Sequence, residues 1–332
     1  MKWKNRDVYF YTFLLVTLVL ASVGHLFSGV IPITFENYSD ALWDFDPQST
    51  PQLIAREFRI PRLVISMLAG SALAVSGMLM QTLFNNPLAG PYVLGINSGS
   101  SLFVAFSLFS GFSIFSSDLG IVASALLGAF VFGSILLGFS MYTKSQVSLL
   151  LIGLMLGSFT TAIITVLQST TQAEELKAFT IWTMGSLQHV QFEQLPLLLL
   201  IFSGALLLCL LLIKPMNVLI LGEKTTELLG FNIRKIRLLT ITITAIFTGL
   251  ITAYCGPIAF VGLAVPNITR MLFRTQSHGK LLVANLVNGA LFLVLSDIII
   301  QLVEPIVTIP INAFTSLIGA PILMLIVLKR IR

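Results

Sequence analysis

RIPRLVISMLAGSALAVSGMLMQTLFNNPLAGPYVLGINSGSS, residues 59–101, carries the pattern that decides the fold. Residues 62–84 are apolar and long enough to cross a bilayer as a helix, which takes about 20 residues. Ala69, Gly70, Ala74 and Gly77 recur within that helix at three- to four-residue spacing. Small side chains on one face let a second helix backbone approach closely. Asn86-Pro87 then stops the helix, and Gly90-Pro91 opens the next one with proline at a tolerated first-turn position. No charge interrupts the connecting turn.

The rest of the chain has the same character. Of 332 residues, 56% are hydrophobic and 10% charged, and the mean hydropathy is +0.96. Soluble domains carry about 25% charged residues. Apolar runs separated by breakers predict about ten membrane segments, near 8–31, 62–84, 91–110, 119–141, 147–168, 195–213, 237–255, 257–270, 281–303 and 311–328. The eighth is short and punctuated by Pro257 and Pro266, which predicts a half-helix rather than a full crossing. The fold class expected is an all-α, polytopic membrane protein forming one domain over residues 1–332.

Charge sets the expected orientation. With the N-terminus inside, fifteen basic residues fall in inner segments, from Lys2 and Lys4 through Lys144 and Arg237 to Arg332. Only Arg56, Arg59, Arg62 and Lys177 lie outside, as the positive-inside rule requires. Both termini are therefore expected on the inner side. The net charge of +5 reflects this topology. No basic patch with interleaved aromatics exists to bind nucleic acid. The basic start and the run Val8–Val23 resemble a signal peptide, but no small-x-small cleavage site precedes Gly24, so a retained first helix is expected. Cys209 and Cys255 lack metal-ligand spacing, and His25, His189 and His278 read as loop or interfacial residues.

Three further stretches carry information. In the loop 214–237, KPMNVLILGEKTTELLGFNIRKIR, Gly222 opens a polar stretch Glu223–Leu229 and Gly230 closes it as a C-terminal cap. A helix of about two turns carrying Leu228 and Leu229 is too short to be stable alone and needs a partner surface. An ordinary amphipathic loop is the alternative. CGPIAFVGLAVPNITRMLF, residues 255–273, and IPINAFTSLIGAPILML, residues 309–325, combine glycine and proline at membrane depth. Irregular backbone there must be buried in protein or face a water-filled cavity, which points to a translocation path or tight helix packing.

Together these segments resemble the permeases of ATP-binding-cassette importers for iron-siderophores, haem and vitamin B12, the FecCD family. The resemblance rests on Arg59-Ile60-Pro61-Arg62, Gly77 to Gln81, Asn86 to Pro91, Leu94-Gly95, Leu221-Gly222-Glu223, Leu229-Gly230, Gly256 to Pro266 and Ile318 to Pro321. It extends from about Arg59 to Leu328. It implies a homodimer (or a pair of related permeases) in the inner, cytoplasmic membrane, with the path between subunits. It also implies two separate ATPase subunits and a periplasmic or lipid-anchored substrate-binding protein. Gly222, Glu223, Leu228, Leu229 and Gly230 would couple the chain to the ATPase, and Arg59 and Arg62 would dock the binding protein. Asn86, Pro87, Gly95, Gly256, Pro257, Gly262, Pro266, Gly319 and Pro321 would shape the path or break helices. The chain has no Gly-x-x-x-x-Gly-Lys-Ser/Thr phosphate loop. It is therefore expected to be no enzyme and to bind no cofactor or metal, with ATP and Mg on the partner. A ferric siderophore is the first-choice cargo, with haem or cobalamin as alternatives.

The chain departs from the family pattern at Gln301, where an arginine often follows an aspartate, at Asn267, where histidine follows proline, and at Thr308–Asn312. Asp297 is the one clear acid within a span. A charge there costs about 2.5–3.5 kcal/mol if central and exposed to lipid, so it is expected to be paired in the bundle or close to the outer surface. Ion-coupled transport would need more such groups. An intramembrane serine hydrolase at Gly95–Gly99 would need a histidine base deep in a later span.

Overall fold

The computed structural model describes residues 5–29, 31–110, 117–143 and 146–331. Of the basic residues counted toward the inner side, Lys2, Lys4, Lys144 and Arg332 fall outside them. Among the described residues there is no strand. The helices are α1 (Asn5–Phe27), α2 (Phe35–Trp43), α3 (Thr50–Ile54), α4 (Ile60–Leu83), α5 (Ile96–Phe109), α6 (Asp118–Tyr142) and α7 (Gln146–Thr170). They continue with α8 (Ala173–Met184), α9 (Leu195–Leu219), α10 (Glu223–Leu228), α11 (Ile233–Cys255), α12 (Val261–Phe273), α13 (His278–Val303) and α14 (Ile311–Ile331).

Seven helices among the described residues are long and apolar enough to cross a membrane. The third and eighth expected segments fall instead on shorter apolar helices, α5 and α12, the eighth being the half-helix expected, and the tenth falls on the 21-residue α14. The count of about ten spans is therefore not borne out by helix length. α5 has 14 residues and α12 has 13. Each is about 20 Å long at 1.5 Å per residue, against a hydrocarbon core of about 30 Å. The physical reason is that non-helical backbone precedes both. A 3-10 turn, Pro91–Leu94, leads through Gly95 into α5. Residues 256–259 run without helix to Phe260, where φ is 66°, and α12 starts there. Such backbone is tolerated where protein covers and satisfies it. Gly256, Pro257 and Ile258 are buried. Ala259 N donates to Asn312 Oδ1 at 3.0 Å, and Ser186 N to the Cys255 carbonyl at 2.8 Å.

α4 is the axis of the bundle, with α9, α11, α12 and α13 packed around it. Its apolar window is 89% buried, against 17% for α7. The small residues recognised in the sequence explain this. A Cβ at Gly70 would lie 2.0 Å from the Gly289 carbonyl oxygen, and one at Gly77 only 1.7 Å from that of Gly262. α1 lies along α13, where the Tyr11 hydroxyl donates to the Lys280 carbonyl at 2.6 Å and Lys280 pairs with Asp7. α6, α7 and α9 turn Phe130, Leu151 and Leu200 outward, as surfaces facing lipid or another protein do.

Gly77→Val puts side-chain atoms into the α12 backbone, so its cost is expected to exceed the roughly 1–3 kcal/mol typical of overpacking. The purified variant should lose its monodisperse peak in detergent or unfold far below the parent protein. Gly204→Ala, where a Cβ meets nothing within 4 Å, should match the parent in the same thermal assay.

Candidate functional site

α10 is built by its two flanking glycines. Gly222 and Gly230 have φ of 99° and 84°, and a Cβ at either would touch nothing within 4 Å. Conformation, not crowding, requires glycine there. Past the helix, Gly230 N donates to the Glu227 carbonyl at 2.9 Å and Phe231 N to that of Thr226 at 3.1 Å, closing the C-terminus. Thr226 is buried and donates to the Gly222 carbonyl at 2.8 Å. Leu228 is 88% exposed and Leu229 58%. Six residues of helix thus hold two large apolar side chains outward. A cavity of about 540 Å³ lies at the start of α10, between Asn85, Val147 and the stretch Leu219–Thr225.

From this end a continuous strip of broken backbone runs into the bundle. Asn86 makes a turn in which its Oδ1 accepts from Leu88 N at 2.9 Å. The Pro87 carbonyl accepts from Asn267 Nδ2 at 2.9 Å, and Asn267 Nδ2 also donates to the Leu263 carbonyl at 2.8 Å. Asn267 therefore ties the Asn86-Pro87 turn to α12, next to Pro266. Gly262 packs against Pro91, Phe260 against Gly319, and Gly256 against the Trp182 carbonyl. Gly95 approaches Gly153. Of the expected helix breaks, Pro266 lies inside α12 and Pro321 inside α14, so neither ends its helix, and the exposed Pro321 stands apart from this strip.

At the opposite end of α4, about 30 Å from Thr82 at 1.5 Å per residue, lies a charged cluster. Arg62 grips Asp297 with two hydrogen bonds, Nε to Oδ2 at 2.8 Å and Nη2 to Oδ1 at 2.9 Å. His25 Nε2 donates to the same Oδ2 at 2.6 Å, and Gln301 Nε2 donates to it at 3.1 Å. Arg62 also lies 3.5 Å from Glu304. Asp297 is thus a fully partnered carboxylate near the end of α13. The sequence places Arg59 and Arg62 on one face. In the structure Arg59 turns into its own chain, donating to the Leu26 carbonyl at 2.7 Å and to the Ile31 carbonyl, with Tyr38 beside it. The free carbonyls at the end of α1 recruit it. Burial raises the Tyr38 hydroxyl's pKa above its ordinary value, and the hydroxyl donates to the Leu26 carbonyl. Arg59, Arg62, Gln188 and Glu304 line a cavity of about 480 Å³.

Several participants escaped the sequence reading. His25 and His278, taken as loop or interfacial residues, are buried. His278 Nδ1 donates to Asn217 Oδ1 at 3.0 Å, and its Nε2 accepts from the Thr82 hydroxyl at 2.9 Å. Their partners lie on distant helices, so local sequence carries no signal for them. Arg237, counted only toward topology, is buried between α6, α10 and α11. A cation inside the apolar start of a span was the available clue.

Asp297→Ala strands Arg62 and His25 in a buried site. Removing one member of such a pair costs about 3–5 kcal/mol, which should lower the thermal midpoint in detergent by about 10 °C. Glu304→Ala removes a looser, more exposed contact and should change stability by less than about 1 kcal/mol. Equal midpoints for the two variants would remove the structural role assigned to Asp297.

Known proteins share this architecture. A metal-chelate type ABC transporter in an inward-facing conformation superposes with a TM-score of 0.85 at 29% identity, covering 97% of this chain and 99% of that one. The hemin transport system permease protein HmuU of Yersinia pestis is 32% identical over 324 residues, 96% of this chain and 95% of its own length. The iron(3+)-hydroxamate import system permease protein FhuB of Bacillus subtilis is 31% identical over 329 residues, covering 97% and 84% respectively. The sequence model of the FecCD transport family matches residues 14–329. The capped helix, the broken strip and these matches agree, and the chain belongs to the FecCD transport family.

Proposed function

We propose that this chain is the membrane permease subunit of an ATP-binding-cassette importer, resident in the cytoplasmic membrane as a single membrane domain with both termini inside. The observation that carries this reading is α10: a six-residue helix, capped at both ends and holding Leu228 and Leu229 into the exterior. Exposed apolar side chains of that kind mark a contact with lipid or with another protein, and the family match supports a protein. ATP and Mg belong to that protein, an ATPase of which two copies serve a permease dimer.

The remaining geometry fits the same cycle. A substrate-binding protein docks at the outer end, on the rim around Arg62 and Glu304, with Arg59 holding the link behind it. ATP binding closes the two ATPases, α10 follows, and the strip from Asn86-Pro87 through Gly256–Gly262 and Gly319 lines the path that opens. The bidentate grip on Asp297 holds that carboxylate in a structural contact and speaks against ion coupling through it. The cargo proposed is a ferric siderophore, supported by the hydroxamate permease of Bacillus subtilis. Haem is the second reading, supported by the hemin permease of Yersinia pestis.

Co-purification with the neighbouring gene products tests the class. Two copies of the chain with two copies of a phosphate-loop ATPase, stimulated by a binding protein, are expected. A lone chain that transports without an ATPase would overturn the proposal. Leu228→Asp should abolish ATPase recovery without moving the thermal midpoint. Glu223→Ala, or the backbone strain introduced by Gly230→Val, should leave a folded complex that hydrolyses ATP with little uptake. A labelled panel of ferric hydroxamates, haem and cobalamin then reads the cargo.

A further inference from the structure

α10 has too few residues to hold itself together, so a displacement at its surface reaches the membrane only through its attachments. Among those attachments, Glu223 of α10 reaches Arg237 on α11, at 3.3 Å. Arg237 is 5% exposed. Its Nη1 donates to the Thr143 carbonyl at 2.5 Å and to the Ser140 carbonyl at 3.3 Å. Those oxygens belong to the last turn and the C-cap of α6, where the helix dipole favours a cation. One guanidinium thus joins α10, the end of α6 and α11.

The connection continues inward by close packing. A Cβ at Gly249 of α11 would lie 2.8 Å from the Ala129 Cβ of α6. A Cβ at Gly128 of α6 would lie 2.2 Å from the Gly99 carbonyl of α5. α6 is therefore held too tightly to slide independently of α5 and α11. A planar fork with several donors makes this three-way junction, and the single ammonium of lysine lacks that shape.

We propose that Arg237 is a positioning residue that makes the end of α6 move as one body with α10, so that displacement of α10 enters the membrane through α6. This rests on α10 being the ATPase contact.

The test uses the permease–ATPase complex in liposomes, with ferric hydroxamate uptake and ATP hydrolysis measured together. Spin labels go on Lys224→Cys and Tyr142→Cys, both exposed positions, while the native Cys209 and Cys255 are buried. With Arg237 intact, the label separation should be narrow and the same in nucleotide-free and ATP-bound complexes. A change of roughly 5 Å or more, the scale of a one-turn helix shift, would overturn the proposal whatever the variants do. Arg237→Gln should assemble and hydrolyse ATP, broaden that separation, and lower uptake per ATP by about tenfold, within the range of mutational effects along such contact chains. Arg237→Lys, which keeps the charge without the fork, should fall nearly as far. Parental uptake per ATP in Arg237→Gln would overturn the proposal while leaving the permease reading intact. An unmodified chain that recruits no ATPase would overturn both.

Discussion

Backbone-to-backbone contact across α4 is the constraint on which the other features depend. Within lipid, apolar side chains gain little by leaving their surroundings, so helices associate through close packing and polar contacts. Facing Gly70 and Gly289 bring α4 and α13 to the closest approach their backbones allow. That contact sets one antiparallel register along the pair. Arg62 meets Asp297 at one end of it and Thr82 meets His278 at the other. The second crossing, at Gly77 and Gly262, presses the start of α12 against α4 and fixes where the broken backbone before α12 can lie. Both ends of the molecule are thereby positioned by contacts that involve no charge.

The polar positions that depart from the family pattern take part in local networks. Gln301 donates to Asp297. Asn267 uses one amide to bind two carbonyls on either side of the α4–α5 turn and α12, and its Oδ1 accepts from Arg270 at 3.2 Å. Asn312 accepts from the backbone of the segment before α12. Uncharged amides can donate and accept at once, which suits positions where broken helices leave both kinds of group unpaired.

Much of this was legible in the sequence, and for stated reasons. Small residues at helical spacing announced the buried face of α4, and glycines on either side of a short polar run announced α10. Pro257 announced the non-helical run before α12, whereas Pro266 lies inside that helix and does not end it. These are local signals, each contained in about a dozen residues. What remained hidden was long-range: His25 and Asp297 are 272 positions apart, and Thr82 and His278 are 196 apart. No spacing rule links them. Arg59 and Arg62 look alike in the sequence, yet carbonyls at the end of α1 claim one and a carboxylate on α13 claims the other. α5 also reads as a full span, because apolar composition does not distinguish helix from the 3-10 turn that replaces its first residues.

The glycines that bracket α10 differ in kind from those inside the bundle. Gly70 and Gly77 are required by their neighbours, whereas an added Cβ at Gly222 or Gly230 would meet nothing, so torsion alone requires glycine there. The segment between them therefore behaves as a cassette whose outer face can be rewritten without disturbing the membrane core, provided that the carboxylate facing Arg237 is kept. Exchange of this short stretch between related permeases is a compact route by which a lineage could change its motor while keeping its pore.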